Sequence, residues 1–201
     1  MTSEPMRDPA ADQLLTPKNA ALLIIDYQPV QVSSIASMDK RAMVENAVAV
    51  ARAAKLFGLP IVLSTVNVKQ GGDPTVDKLK AVLPDAEEID RTTINAWEDV
   101  EFVRAVKAAG RKKLIMAALW TEACLTFPTL DALKEGFEVY PIVDAVGGTS
   151  LEAHRAGLER VVRAGAQPTS VVQLLCELQR DWARKDTSDG FAEIAFGVLG
   201  R

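Results

Sequence analysis

The chain has 201 residues, 48% hydrophobic and 25% charged, the balance of a soluble globular domain that buries a sizeable core rather than staying disordered. Lysine and arginine number 23 against 27 acids, a net charge of -4, so no bulk positive field neutralises phosphates and nucleic acid is not an expected partner. The longest apolar stretches, 20–25 and 114–120, fall far short of the ~20 residues that span a bilayer, so no membrane partner is expected either.

In chain order, the N-terminus carries acids where a secretory leader needs bases, which makes the cytoplasm the expected location. The apolar run AALLIID then opens the first strand. Four times afterwards a helical run ends at glycine and a β-branched or apolar run follows. These are ARAAKLFG before LPIVLSTV (Gly58), AVKAAG before RKKLIMAAL (Gly110), DALKEG before FEVYPIVD (Gly136) and VVRAG before AQPTSVVQLL (Gly165). A glycine after a helix supplies the left-handed position that other residues resist, so the pattern reads βαβαβαβαβ. Strands apolar throughout belong to a sheet covered on both faces. The expected fold class is therefore α/β, a three-layer αβα sandwich with a central mostly parallel sheet. No linker divides the chain, so 1–201 reads as one domain with a core of about 19–184. The first 18 residues and the tail from Lys185 are expected arms. Residues 66–96 are the least regular and read as a short helix among loops over one sheet edge.

Ligands of open parallel sheets bind at the carboxyl ends of strands. Asp26 closes AALLIID, Asp144 closes FEVYPIVD, and Cys124 lies just past LIMAALW at an expected helix start. A thiol there is expected to have a lowered pKa, and a carboxylate across the crevice is placed to take its proton. The same pattern fits a buried small residue at 124 and a turn aspartate at 26; spacing does not separate the two. Asp144 fits a turn cap equally well. GxGxxG and GxxxxGK[ST] are absent, so neither a dinucleotide nor ATP is an expected cofactor. GxSxG is absent too, and the single histidine, His154, is expected half-exposed on a helix, which argues against a multi-histidine metal site. The two cysteines, Cys124 and Cys176, are expected to be free thiols.

ALLIIDYQ at 21–28, INAWED at 94–99, AALWTEACL at 117–125 and VDAVGGTSLEAHRAGLERV at 143–161 together resemble the isochorismatase-like cysteine hydrolase superfamily. INAWED with CELQRDW at 176–182 resembles its YcaC-like branch. The resemblance covers about 19–184 and implies the family's fold. It also implies a catalytic set of Asp26, Arg91 and Cys124, with arginine in the slot where the wider family has lysine. It implies a non-proline cis peptide, placed between Trp120 and Thr121, and an oxyanion hole of the Thr121 and Cys124 backbone amides. Gln28, Asn95, Trp97 and Trp120 are expected to line the pocket, with Gln28 orienting Asp26. No metal and no cofactor carry over. The implied partners are a small-molecule substrate and further copies of the chain, up to an octamer, with FAEIAFGVLG at 191–200 packed on a neighbour or on its own domain.

The activity implied is hydrolysis of a small amide or other C–N bonded substrate through a thioester. Two other readings stay open. Arginine does not give up its proton as lysine does, which fits a catalytically weak binding or scaffold protein of the same fold. Cys124 also fits a thiol redox sensor.

Overall fold

The computed structural model describes residues 7–200. Strands β1 (Ala20–Ile25), β2 (Ile61–Val66), β3 (Glu88–Arg91), β4 (Lys113–Ala118) and β5 (Glu138–Pro141) form one sheet in the order β3-β2-β1-β4-β5. Every pairing is parallel. The helices are α1 (Pro29–Ser34), α2 (Lys40–Phe57), α3 (Asp77–Val82), α4 (Val100–Ala108), α5 (Thr126–Lys134), α6 (Leu151–Arg163), α7 (Val171–Gln179) and α8 (Lys185–Leu199). Among them no helix is long and apolar enough to cross a membrane.

Every residue of β1 and β4 is buried, because alternate side chains feed two cores on opposite faces of the sheet. Leu22, Ile24, Ile115 and Ala117 join α2, α7 and α8 through Met43, Leu174 and Phe191. Leu23, Ile25, Leu114 and Met116 join α4, α5 and α6 through Phe102, Ala132 and Val161. The result is a three-layer α/β fold. The helix-stop glycines behave as their positions require: Gly58, Gly110, Gly136 and Gly165 all adopt positive φ.

Three elements differ from the sequence reading. The run after Gly165 is not a strand: Ser170 caps α7 by accepting from Gln173 N, and Val171, Leu174, Leu175 and Leu178 are buried at helical spacing. Before the helix, Gln167 N and Thr169 N donate to Val139 O and Pro141 O of β5 at 2.8 and 2.9 Å, and an isolated bridge joins Ile142 to Thr169. The fifth strand is instead β3, a short edge strand inside the segment expected to be loops, held by its register with β2 from Leu63↔Glu88 to Val66↔Arg91. The C-terminal arm is helix α8, whose Phe191, Ile194 and Ala195 pack on the domain's own core while Phe196 and Leu199 are exposed. At the other end residues 1–6 lie outside the described residues. The segment before β1 is tied down: Leu15 is buried, and Lys113 Nζ donates to Asp12 O at 2.8 Å.

The topology fixes where a ligand binds. From β1 the chain leaves over one face through α2, and from β4 it leaves over the other through α5. The strand order reverses between these neighbours, which opens a crevice beyond their carboxyl ends.

Candidate active site

Asp26 follows β1 directly. Its backbone is left-handed, φ 61, a conformation aspartate tolerates better than most residues, and its amide donates to Ser64 O at 2.9 Å. Arg91 ends β3 and reaches across the end of β2. Its Nη2 lies 2.5 Å from Asp26 Oδ2, with both side chains fully buried, and its Nη1 donates to Thr93 O. A guanidinium that deep requires a paired carboxylate. Asp26 Oδ1 and Arg91 Nε have no hydrogen-bond partner among the described residues.

Cys124 arrives from β4 on a π-turn, Thr121–Leu125, that leads into α5. The turn closes with Leu125 N donating to Trp120 O at 3.1 Å. Cys124 retains 6% exposure where Asp26 retains none, so of the two buried residues it lies nearer the surface. The thiol and the Asp26 carboxyl perturb each other's ionisation, although Oδ1 has no partner of normal hydrogen-bond geometry.

The ionisation of this cluster is the reverse of the expectation for Cys124. Its thiol is pushed up to about 12, first by burial and then by the Asp26 charge and contact; Arg91 and the Trp120 amide pull the other way. The start of a helix does lower a thiol pKa, but here desolvation and a neighbouring carboxylate outweigh it. Burial likewise raises the Asp26 carboxyl, opposed chiefly by Arg91. The resting thiol is therefore neutral, beside a buried carboxylate that is a stronger base than a solvated one.

The other expected site residues divide. Thr121 cannot contribute its amide to an oxyanion hole, because that amide donates to Gly147 O at 2.9 Å. The backbone amide that lowers the pKa of the thiol is that of Trp120. The cis peptide joins Leu119 and Trp120, one residue earlier than expected. The Gln28 side chain does not orient Asp26: Nε2 donates to Val66 O and Asp73 O, and Oε1 accepts from Val66 N, clasping the exit of β2. Asn95 is a cap, accepting from Trp97 N and donating to Asp131. Trp97 is core, buried edge-on against Phe102 and Phe137 with Nε1 on Glu135. Trp120 remains half-buried beside the turn, its Nε1 donating to Ser34 Oγ at 2.6 Å. Asp144 caps α7, accepting from Val171 N at 3.0 Å.

His154 is buried rather than half-exposed, with Nδ1 2.8 Å from Thr121 Oγ1. The sequence signal that could have found that contact is the pair of glycines near it, Gly148 before α6 and Gly157 within it, which let α6 approach the turn carrying Cys124 closely.

An isochorismatase domain model matches residues 20–173, which spans the sheet and all three site residues. The chain is 38% identical to the probable hydrolase YcaC of Escherichia coli over 90% of this chain and 86% of that one. It superposes on YcaC from Pseudomonas aeruginosa, solved with hexane-2,5-diol and covalent acrylamide, with a TM-score of 0.88 at 38% identity, covering 94% and 93% of the two chains. The crystal structure of E. coli YcaC, described as an octameric hydrolase of unknown specificity, matches with a TM-score of 0.81 at 32% identity, covering 98% and 99%. By sequence and by fold, then, the chain belongs to the isochorismatase family, in its YcaC-like branch.

Proposed function

We propose that the protein is a cysteine hydrolase that cleaves a small amide or other C–N bonded substrate through a thioester on Cys124. The observation that carries this reading is the convergence of three strand ends on one buried cluster, of which Cys124 is the least buried member. The hydrolase character of the named YcaC relatives supports it. The covalent acrylamide on the Pseudomonas protein supports the nucleophilic part of the reading, since acrylamide is an electrophile that a nucleophile captures at its double bond.

Asp26 takes the Sγ proton as sulfur attacks the carbonyl carbon, and the carbonyl π electrons move to oxygen. The transfer moves the negative charge from the Asp26 carboxylate, which becomes a carboxylic acid, to the carbonyl oxygen, while a neutral thiol becomes a neutral bound sulfur, so the net charge of protein plus substrate is unchanged. Arg91 stays charged throughout and compensates whichever of its neighbours is anionic. The amides of Trp120 and Cys124 are assigned to hold the developing oxyanion. Collapse breaks the C–N bond, Asp26 returns its proton to the leaving amine, and water, deprotonated by Asp26, then attacks the thioester carbonyl; collapse breaks the C–S bond, releases the carboxylic acid, and the sulfur takes the proton back from Asp26. Half-buried Trp120 lines the approach.

Mass spectrometry across a panel of small amides tests the chemistry. An acyl adduct on Cys124 that is absent in Cys124→Ala is the expected outcome, and amide turnover retained in the alanine variant refutes the assignment, whereas labelling of the exposed thiol Cys176 does not bear on it. A folded protein with no adduct from any activated amide or ester favours the binding or scaffold reading, which the raised thiol pKa motivates. The exposed Val30, Ile94, Phe196 and Leu199, with the octameric state of the E. coli relative, support assembly into a homo-oligomer. Light scattering that returns a monomer mass would overturn that.

A further inference from the structure

A buried polar contact holds the nucleophile's turn from the side away from β4. Thr121, fully buried, opens that turn. Its amide bonds Gly147 O, its carbonyl accepts from Thr126 Oγ1 at 2.6 Å, and its hydroxyl meets His154 Nδ1 at 2.8 Å. The adjacent Glu122 accepts Thr149 N and Oγ1 through Oε1 at 3.0 and 2.6 Å. Its buried Oε2 has no hydrogen-bond partner among the described residues.

Helix α6 reaches this turn at backbone contact. A Cβ on Gly157 would stand 3.1 Å from both Glu122 Cα and Thr121 O, and one on Gly148 would stand 2.7 Å from Glu122 Oε2 and 2.9 Å from His154 Cβ. The two elements are therefore packed without slack, and the imidazole is the polar anchor between them. Burial lowers the His154 pKa, with Glu122 opposing, so the ring is neutral at neutral pH and offers one donor and one acceptor nitrogen.

We propose that His154 is a positioning residue of the site, whose bond to Thr121 fixes the turn that aims the Cys124 sulfur at Asp26. The proposal rests on Cys124 as the nucleophile. Without the bond, a buried hydroxyl loses its partner and the head of the turn is free to shift. A displacement of about 1 Å at a reacting group costs on the order of a hundredfold in rate.

The test is the rate at which acrylamide alkylates Cys124, read by peptide mass mapping at a temperature where thermal melting shows every variant folded. His154→Leu keeps similar bulk without Nδ1, His154→Asn restores a polar group near it, and Thr121→Val removes Oγ1 at constant shape. His154→Leu and Thr121→Val are each expected to slow alkylation by about ten- to a hundredfold. His154→Asn should recover most of the rate, and the double variant His154→Leu/Thr121→Val should be no slower than either single. A folded His154→Leu at the wild-type rate, or His154→Asn no faster than His154→Leu, overturns the proposal. If His154→Leu does not fold, Thr121→Val decides: slow alkylation supports the role and wild-type alkylation removes it. Alkylation needs no amide hydrolysis, so failure of the amidase reading leaves this result intact. Amide turnover that persists in Cys124→Ala would sink the nucleophile assignment instead, while labelling of the exposed thiol Cys176 would not.

Discussion

Arg91→Met tests the electrostatics of the site most directly. In the wild type, Arg91 and Asp26 are both fully buried and 2.5 Å apart. Removing one partner of such a pair strands the other charge and costs roughly 3–5 kcal/mol. At 2–4 °C per kcal/mol for a chain of this size, the melting temperature should fall by about 6–20 °C. The loss should also depend on pH. Burial raises the Asp26 carboxyl and Arg91 opposes the rise, so without Arg91 the folded-state pKa climbs further. A raised folded-state pKa contributes stability below the unfolded value, which is lost as pH rises through the folded one. The deficit of Arg91→Met should therefore be largest at neutral pH and narrow toward the ordinary carboxylate range, where Asp26 is protonated in both proteins. Asp26→Leu/Arg91→Met should recover much of the stability, because no buried charge remains. Thermal unfolding followed by circular dichroism across that range measures all three. A single variant that melts within about 2 °C of wild type at neutral pH, or a deficit that stays constant on acidification, would refute a buried ionised pair.

Asp26→Asn removes the charge and contact that help hold the Cys124 thiol near 12. The thiolate absorbance should then titrate at lower pH, while amide turnover falls by about 10²–10⁴ for want of a base; an unmoved titration would show that the two groups do not interact. Trp97→Ala should cost about 3–5 kcal/mol of stability as a core truncation and leave Cys124 alkylation unchanged once folded. A slowed alkylation with wild-type stability would return Trp97 to the pocket. Gly157→Ala forces a methyl to 3.1 Å from the backbone of the turn that carries Cys124, so alkylation should slow as stability drops by about 1–3 kcal/mol. Gly190→Ala, which meets only the end of Leu56, should spare alkylation, and equal effects on both rates would break the argument.

The features that could be read along the chain are those set by near neighbours. Apolar runs made β1 and β4 visible, and glycines at 58, 110, 136 and 165 marked helix ends, because burial on both faces and a left-handed backbone leave a local imprint. The positions of Asp26 and Cys124 at strand ends were legible for the same reason. The strand β3 was not: EIDR is short and charged, and becomes a strand by pairing with β2. Val171 and Val172 suggested a strand locally, yet the buried stripe through Leu174 and Leu178 makes a helix.

The motif INAWED fixed a place in the chain but not the direction its side chains take. Asn95 and Trp97 turn to α5 and the core, and Gln28 to the backbone of β2. Likewise the rule that lowers a thiol pKa at a helix start uses only the residues beside it. Burial and a carboxylate brought in from β1 reverse its outcome at Cys124, since desolvation and Coulomb forces act over distances in space, between groups far apart along the chain.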